Sequence, residues 1–394
     1  MNDWLVQNGY LHLKRNVKVL LAFATLRGIG IGTYRTLFPL YLVHLGYGMS
    51  DIGGIATIAS LLVILTLPLV GILLDVIGRK PMVALTGLAL TLALLLPSIT
   101  SSYPMLVISY FLMYFSFLAG QPSRSTLLAD SVDSSEAGST FGKIATAFQA
   151  SRTVTPFIMG FLAEIIGFSE TFKVGALISF IGVIIVVVYA IETKKHTIRK
   201  NLKRELIEAV LPEKKLSWLY TFTSIDRFAW SLWFPLLNAY LGERFGMGPS
   251  EVGMLNSIIN GVSSILGYTA GKMVDSIGFL KTLTASEVLG AISALGLGMV
   301  DEKLVALPFI TIGIAIALWI PSYNTAVTLN TQPRGRGKTF SKLNTFRIAT
   351  SAPAPWIGGL LSTLSISAPF ILSSIIMCIN SVGVLFFKVR KHKE

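Results

Sequence analysis

The feature that most restricts the fold of this chain is a series of long apolar segments that contain no charge. Residues 52–74, 81–99 and 174–191 each lack Asp, Glu, Lys and Arg. Each segment has roughly the 20 residues that a helix needs to cross the hydrocarbon core of a bilayer. Because lipid offers no hydrogen-bond partner, each segment must satisfy its own backbone as a helix. The sequence therefore predicts an α-helical membrane protein with several spans.

The charged residues lie between the apolar segments and are distributed unevenly. They make up 13% of the 394 residues, with a formal net charge of +13. Basic clusters fall on alternate loops, whereas 43–52, 98–104 and 363–369 contain no Lys or Arg. The clusters are Lys14, Arg15 and Lys18; Arg79 and Lys80; 194–204; Arg334, Arg336 and Lys338; and 388–393. This positive-inside pattern predicts a multi-pass protein of the cell (inner, cytoplasmic) membrane with both termini in the cytoplasm. It leaves no soluble basic domain, so no nucleic acid is expected as a partner.

Hydrophobicity predicts twelve spans in two groups of six. They lie at about 18–43, 51–74, 81–98, 104–127, 139–163, 172–191, 216–241, 251–274, 280–299, 304–328, 339–362 and 367–387. The predicted domains are an N-terminal six-helix bundle (1–191), a cytoplasmic linker (192–215) and a C-terminal six-helix bundle (216–394).

The two groups of spans repeat one another at the level of single residues. Gly71, Asp75 and Gly78 recur 200 positions later. Further pairs in a register of 199 or 200 are Pro122-Ser123 with Pro321-Ser322, Pro156 with Pro355, Gly160 with Gly359, and Arg27 with Arg227. Hydrophobicity alone would not reproduce prolines, glycines and charges in one register, so the sequence predicts an internal duplication. Copies of six spans have the same orientation and are related by an axis along the membrane normal.

One loop carries a motif. The sequence GILLDVIGRK, from Gly71 to Lys80, joins the second and third predicted spans. Its first glycine allows close packing of helices, and Gly78 permits a tight turn. The segment resembles the signature loop of the major facilitator superfamily, and the span count, middle loop and repeat extend that resemblance over the whole chain. The resemblance implies an all-α membrane fold of twelve transmembrane helices in two pseudo-symmetric six-helix bundles, with the activity of a transporter.

In this family the loop forms a conformational latch. The resemblance implies that Asp75 packs at the start of the eleventh span, around 339–341. It also implies that Arg79 pairs with an acid below the fourth span, here Asp130. With the two glycines of the loop, these residues would lock the outward-open state. The second copy has Phe279 where an arginine would stand, so its latch is predicted to be weaker.

Ionisable residues inside predicted spans are the main functional candidates, because each costs about 2.5–3.5 kcal/mol to insert. Arg27 and Arg227 hold equivalent positions on the first span of each copy, which the resemblance places at the transport cavity. Paired guanidinium groups suit a phosphate, carboxylate or sulfate, so the predicted substrate is a small anionic or zwitterionic organic molecule. The predicted substrate-binding residues are Arg27, Arg227, Arg35, Arg152, Arg347, Trp230, Tyr323 and Asn324. The arginines also have a structural interpretation, in which Arg124 pairs with Asp130 and Arg227 with its neighbour Asp226.

Asp226 is the predicted proton-coupling residue, because it is the acid that the predicted spans place near mid-membrane on a cavity helix. A substrate that competes for a nearby arginine would change the protonation of this acid and so couple a proton to transport. The predicted function is secondary active transport of the solute by alternating access, with a proton as the candidate coupling ion and a monomer as the expected state. The alternative is a proton-driven efflux antiporter for drugs or cations. Residues 155–160 partly resemble the span-five motif of that group, but Thr155 stands where its first glycine would be.

The remaining classes find little support in the sequence. The four histidines lie in predicted loops or tails, and neither a Ser-His-Asp nor an HExxH arrangement is present. The single cysteine, Cys378, allows no internal disulfide and no metal cluster. The chain is therefore not expected to be an enzyme or to hold a metal or cofactor. Its expected partners are a small-molecule substrate and the lipid bilayer.

Overall fold

The computed structural model describes residues 2–133, 135–193, 212–331 and 336–385. Within these ranges all regular secondary structure is helical. Most of the predicted cytoplasmic linker lies outside the described residues, as do Arg334 and the basic clusters at 194–204 and 388–393.

Five helices form the first six predicted spans. They are α1 (Asn2–His44), α2 (Met49–Val76), α3 (Arg79–Ile99), α4 (Tyr103–Ala129) and α5 (Ala137–Tyr189). Helix α5 supplies both the fifth and the sixth span, because the chain turns sharply inside it at Gly167. The φ of 84° at this residue is a conformation that glycine adopts without steric cost. The loop predicted between these two spans is therefore a single sharp turn.

Within the described residues, eight helices build the last six spans. The helices are α6 (Ser217–Ser231), α7 (Leu237–Phe245), α8 (Pro249–Ile277), α9 (Phe279–Met299), α10 (Ala306–Asn330), α11 (Arg336–Ser351), α12 (Ala354–Leu364) and α13 (Ala368–Leu385). A 3₁₀ turn at Phe234–Leu236 joins α6 to α7. The predicted continuous spans at 216–241 and 339–362 are wrong in this respect, since each is broken in two. Pro235 and Pro353 lie at the breaks, and proline lacks the N–H that would continue a helix.

The twelve-span prediction is confirmed as an all-α membrane fold, with the seventh and eleventh spans broken. Among the described residues, seven helices are long and apolar enough to cross a membrane. They are Arg15–His44, Met49–Leu67, Arg79–Ile99, Tyr103–Ala129, Ala137–Tyr189, Phe279–Met299 and Glu302–Asn330.

The chain packs as two compact units that exchange short segments. The first unit comprises Met1–Tyr41, Ile58–Leu202 and Gly248–Ser257. The second comprises Leu42–Thr57, Lys203–Met247 and Ile258–Glu394. Residues 42–57 therefore belong to the unit built mainly from the second half of the sequence, and residues 248–257 belong to the unit built mainly from the first half. The domain boundaries drawn from the sequence stay a prediction.

The duplication is visible in the backbone as well as in the sequence. Gly46 and Gly246 have φ values of 84° and 67°. Gly78 and Gly278, directly before α3 and α9, have φ values of 105° and 88°. Each pair is separated by 200 positions, and each glycine adopts the left-handed region that other residues avoid. The repeated glycines therefore mark turns of the same kind in the two halves.

Candidate functional site

A buried ion pair lies in the second unit. Asp226 on α6 is 2% exposed and Arg347 on α11 is 8% exposed. Arg347 Nη2 lies 3.3 Å from Asp226 Oδ2, and Arg347 Nε donates a hydrogen bond of 3.1 Å to the carbonyl oxygen of Thr223. Charges buried this deeply must be paired, because desolvation of a lone charge is expensive. Arg347 is thus an ion-pair partner of Asp226, and the pairing of Asp226 with the adjacent Arg227 stays a prediction.

Two aromatic rings of α10 hold the guanidinium of Arg347. Its Cζ lies 4.6 Å from the ring centroid of Trp319 and 5.1 Å from that of Tyr323. The two rings stack on each other at 4.6 Å with an interplanar angle of 15°, as residues four apart on a helix can do. Tyr323 therefore contributes to the electrostatic environment of the pair. Asn324, predicted as its companion at the substrate, is exposed.

A second acid completes this cluster. Glu287 on α9 is 1% exposed, and its Oε2 accepts a hydrogen bond of 3.2 Å from Nδ2 of Asn380 on α13. Asn380 Nδ2 also lies 3.3 Å from the carbonyl oxygen of Phe222. The Glu287 and Asp226 carboxyl groups lie close enough to influence each other electrostatically. The structure thus places Glu287 beside the predicted proton site, Asp226.

The first unit contains a different buried charge. Arg27 on α1 is 1% exposed, and its Nη2 donates to the carbonyl oxygen of Ser116 on α4 and lies 3.3 Å from Ser116 Oγ. A Cβ added to Gly120 would lie 2.6 Å from Arg27 Nη2, so only glycine leaves room for the guanidinium. The Nε and Nη1 atoms of Arg27 are buried and find no hydrogen-bond partner among the described residues.

Three guanidinium groups surround the ring of Phe148 on α5. The Cζ atoms of Arg27, Arg124 and Arg152 lie 5.9, 5.3 and 5.6 Å from its centroid. Arg124 and Arg152 lie close enough to Arg27 for their charges to repel it. Arg35 lies over a different ring, that of Phe117, at 5.7 Å, and it repels Arg152. The first unit thus concentrates positive charge around one phenyl group, which we call the arginine cluster (Arg27, Arg124, Arg152 and Phe148).

The latch motif lies at the end of α2 and the start of α3. Arg79 Nε lies 3.1 Å from Asp130 Oδ2, so these residues form the ion pair that the resemblance implies. Thr193 Oγ1 donates a further hydrogen bond of 2.9 Å to the same carboxylate oxygen. The favoured pair of Arg124 with Asp130 is wrong, because Arg124 Nε donates instead to the carbonyl oxygen of Gly120 at 2.9 Å.

The turn of the latch depends on Glu192. Its carboxylate accepts hydrogen bonds of 3.0 Å from the backbone N–H groups of Arg79 and Lys80, at the first turn of α3. A negative charge is favourable at this end of a helix. A Cβ on Gly78 would lie 2.6 Å from Glu192 Oε2, so a larger residue would displace this cap. Gly71 and Asp75 lie in the last turns of α2, and their roles in a latch stay predictions.

The other predicted substrate residues lie in the second unit. Arg227 and Trp230 are half-buried on α6. The ring of Trp230 lies 5.1 Å from that of Trp233, and a Cβ on Gly290 would lie 3.1 Å from Trp230. Trp233 is buried, and its Nε1 donates a hydrogen bond of 2.9 Å to Ser373 Oγ. Trp230 therefore packs on neighbouring helices, and its contact with a substrate stays a prediction.

In the first unit α5 and the start of α8 cross with backbones in contact. A Cβ on Gly160 would lie 2.9 Å from the carbonyl carbon of Pro249. A Cβ on Gly253 would lie 2.9 Å from the carbonyl carbon of Pro156. In both cases the carbonyl oxygen is closer still, so each glycine is required by the crossing.

The second unit contains the same crossing between the start of α2 and α12. A Cβ on Gly53 would lie 2.8 Å from the carbonyl carbon of Pro355, and a Cβ on Gly359 would lie 2.9 Å from that of Met49. The four contacting positions are those of the first unit, shifted by 199 or 200 residues. The sequence showed Pro156 and Gly160 with their counterparts Pro355 and Gly359 as part of the repeat, but it did not show which residues they contact.

One hydrogen bond accompanies each crossing. Phe157 N donates to Ser257 Oγ at 3.2 Å in the first unit. Trp356 N donates to Thr57 Oγ1 at 3.1 Å in the second. Donors and acceptors again correspond in the register of the repeat, so the two crossings are duplicated features of the fold.

Comparison with known proteins agrees with this architecture. A family model described as Major Facilitator Superfamily matches residues 20–225 and, a second time, residues 219–394. The multidrug resistance protein MdtG of Enterobacter lignolyticus is 24% identical over 386 residues, which cover 94% of this chain and 92% of that protein. The multi-drug resistance efflux pump PmrA of Streptococcus pneumoniae is 23% identical over 378 residues, covering 89% of this chain and 90% of the pump.

Solved structures show the same fold at low identity. The nucleoside transporter NupG has a TM-score of 0.76 at 15% identity, covering 94% of this chain and 98% of that one. The human organic anion transporter MFSD10 has a TM-score of 0.66 at 15% identity, covering 94% of this chain and 99% of that one. Since these proteins carry unlike solutes, the likeness concerns the fold and leaves the substrate to be argued from this chain's own residues.

Proposed function

The chain belongs to the major facilitator superfamily, and from that premise we propose that it exports small organic anions or zwitterions in exchange for protons. Membership of the family makes it a membrane transporter of small molecules and not an enzyme. Export is supported by the names of its relatives, a multidrug resistance protein and an efflux pump. The charge of the solute and the coupling ion rest on the two buried clusters.

The arginine cluster carries the proposal for an anion. Arg27 is buried with two nitrogen atoms that have no partner among the described residues. Arg124 and Arg152 lie on the same phenyl ring and are only partly buried. Like charges held this closely repel one another, and an anionic group placed among them would both remove that repulsion and accept hydrogen bonds.

A lipophilic cation is the second candidate substrate. The observation in its favour is the pair of acids beside aromatic rings in the second unit, Asp226 and Glu287 with Trp319 and Tyr323, because aromatic faces and carboxylates attract organic cations. The names of the relatives are compatible with this class as well. In this alternative Arg347 would have to leave Asp226 when the cation binds.

Ligand binding to purified protein separates the two candidates. The probes are a carboxylated fluorescent dye and tetraphenylphosphonium, each tested by the rise in thermal stability that a ligand of the native state produces. Arg124→Gln is expected to weaken binding of the dye by about 10- to 150-fold, the equivalent of a charged hydrogen bond of about 1.5–3 kcal/mol. Lys173→Gln is the control, since Lys173 is an exposed cation paired with Glu170. Stabilisation by tetraphenylphosphonium alone, or dye binding that Arg124→Gln does not change, would contradict the anion proposal.

We also propose that the protein acts as a monomer in the cell membrane with both termini in the cytoplasm. The alternation of basic and uncharged loops supports this orientation. Labelling of a cysteine introduced at the N-terminus of a Cys378→Ser protein, in intact and in opened cells, tests it. Labelling in intact cells would contradict the orientation.

A further inference from the structure

We infer that Asp226 and Glu287 together bind a single proton, held between Asp226 Oδ1 and Glu287 Oε1. This inference rests on the proposed proton coupling and adds Glu287 as the second half of the proton site. It assigns the coupling proton to a shared position between two helices, α6 and α9, instead of to one carboxyl group.

The hydrogen bonds of the two acids support this assignment. Asp226 Oδ2 is bonded to Arg347, and Glu287 Oε2 is bonded to Asn380. The other oxygen of each acid, Oδ1 and Oε1, is buried and finds no donor among the described residues. The two carboxyl groups are close enough to act on each other, and Asn380 links Glu287 to the carbonyl oxygen of Phe222, one turn before Asp226 on α6. Because a carboxylate oxygen only accepts hydrogen bonds, Oδ1 and Oε1 can bond to each other only when one of the acids carries a proton.

The charges around Asp226 and Glu287 also indicate that the two acids share one proton. Arg347 is the cation bound to Asp226, and Tyr323 and Asn380 are neutral neighbours from α10 and α13. Arg227 follows Asp226 on α6 and acts on it more weakly than Arg347 does. Glu287 is bonded to the neutral Asn380, so a proton shared with Asp226 is the positive charge that this contact supplies to it.

Loss of this proton would change the stability of the buried arrangement. Both acids would then be ionised next to each other in a low dielectric, which is strongly unfavourable. Any conformation in which one of the acids reaches water would be favoured relative to the present one. The proton therefore acts as the switch of the second unit, and Glu287 acts by sharing it, without contacting the solute.

The duplication supplies an internal comparison. The position of Asp226 corresponds to Leu26 in the first copy, and that of Glu287 corresponds to Gly87. Both acids are thus absent from the first copy, and both are present in the second. Their joint presence at one buried contact fits a common role better than two unrelated structural roles.

The test uses the full-length protein in liposomes, with the carboxylated dye as solute. Two quantities are compared for each protein: dye accumulation driven by a pH gradient, and exchange of dye at equal pH on both sides. Glu287→Gln and Asp226→Asn are each expected to reduce the ratio of the first to the second at least tenfold. Glu302→Gln, which removes an exposed loop acid, is expected to keep the wild-type ratio. A wild-type ratio in Glu287→Gln would overturn the inference.

A spectroscopic readout separates this inference from the proposed function. Infrared spectra of the wild-type protein in D₂O and H₂O should contain the C=O stretch of a protonated carboxyl group, altered in both Glu287→Gln and Asp226→Asn. If the wild-type protein shows no transport driven by pH, the proposed function fails, and the infrared band still decides whether the proton is shared. A band that disappears in Asp226→Asn but is unchanged in Glu287→Gln would assign the proton to Asp226 alone and overturn the inference. Thermal melts of both variants establish that they are folded.

Discussion

Replacing Gly253 by alanine should force apart the crossing between α5 and α8. The added Cβ would lie 2.9 Å from the carbonyl carbon of Pro156 and 3.3 Å from the Cα of Phe157. These are backbone atoms that cannot rotate away, so the helices must separate by roughly 1 Å to reach ordinary contact distances. Overpacking of this kind costs about 1–3 kcal/mol, and alanine returns about 0.5–1 kcal/mol of helix propensity. The net destabilisation of the crossing is therefore about 0–2.5 kcal/mol, or up to roughly 70-fold in its opening equilibrium.

Hydrogen–deuterium exchange measures that equilibrium locally, in peptides that cover 153–165 and 248–257. Gly253→Ala should raise their exchange rates by the stated factor. Gly267→Ala is the matched control on the same helix, since its Cβ would meet no atom within 4 Å. The control should leave the rates unchanged or slightly lower, because only the gain in helix propensity remains. Gly53→Ala should act in the same way on the duplicated crossing in the second unit, where the Cβ would lie 2.8 Å from the carbonyl carbon of Pro355.

Equal exchange in Gly253→Ala and Gly267→Ala would refute the reasoning, because the contact would then be looser than the backbone positions indicate. Faster exchange across the whole of α8 would also count against it, since global destabilisation would explain that result without the crossing. A local rise confined to the two peptides is the result that the geometry predicts.

Three further predictions concern the charged contacts. Arg347→Ala leaves Asp226 buried without its partner and should destabilise the protein by about 3–5 kcal/mol; adding Asp226→Asn should recover part of the loss in a thermal melt. Arg244→Ala removes hydrogen bonds to the carbonyl oxygens of Leu297, Gly298 and Val300, and it should cost about 1.5–3 kcal/mol, whereas Lys173→Ala should leave the melting temperature unchanged. Asp130→Asn breaks a partly exposed pair with Arg79 and should cost at most about 1 kcal/mol of stability. If the pair acts as a latch, the same change should alter hydrogen–deuterium exchange in residues 74–80, and unchanged exchange there would contradict a latch.

The sequence was sufficient to predict the helical membrane fold, because the requirement for internal hydrogen bonding in lipid allows few alternatives. It was also sufficient to pair Arg79 with Asp130, through a resemblance to a known loop. It did not reveal that Arg347 pairs with Asp226. That contact depends on the rotation of α11 against α6, and neither hydrophobicity nor spacing determines such a rotation. The wrong pairing of Arg124 with Asp130 has a different cause, because it relied on nearness along one helix, where positions three or four apart share a face and positions six apart do not.

The two copies share one cation–π contact, but the arginine and the aromatic ring that form it lie on opposite helices in the two copies. In the first copy Arg124 lies over Phe148, at 5.3 Å from the ring centroid. In the second copy Arg347 lies over Tyr323, at 5.1 Å. In the register of 199 residues Arg124 corresponds to Tyr323, and Phe148 corresponds to Arg347. The cation and the ring have therefore exchanged helices, whereas the cation–π contact itself persists.

This exchange has a consequence for the proposed division of roles. A cation on the eleventh span, at Arg347, can reach an acid on α6, and Asp226 takes that position. In the first copy the cation is on α4, where Arg27 lies across from it and Leu26 occupies the position of Asp226. In the second unit the guanidinium of Arg347 is therefore paired with an acid, whereas in the first unit the guanidinium of Arg124 lies near further arginines. An anionic group would offset the positive charge gathered in the first unit, and a shared proton offsets the negative charge of the two acids in the second, which is why we assign the solute to one unit and the coupling ion to the other.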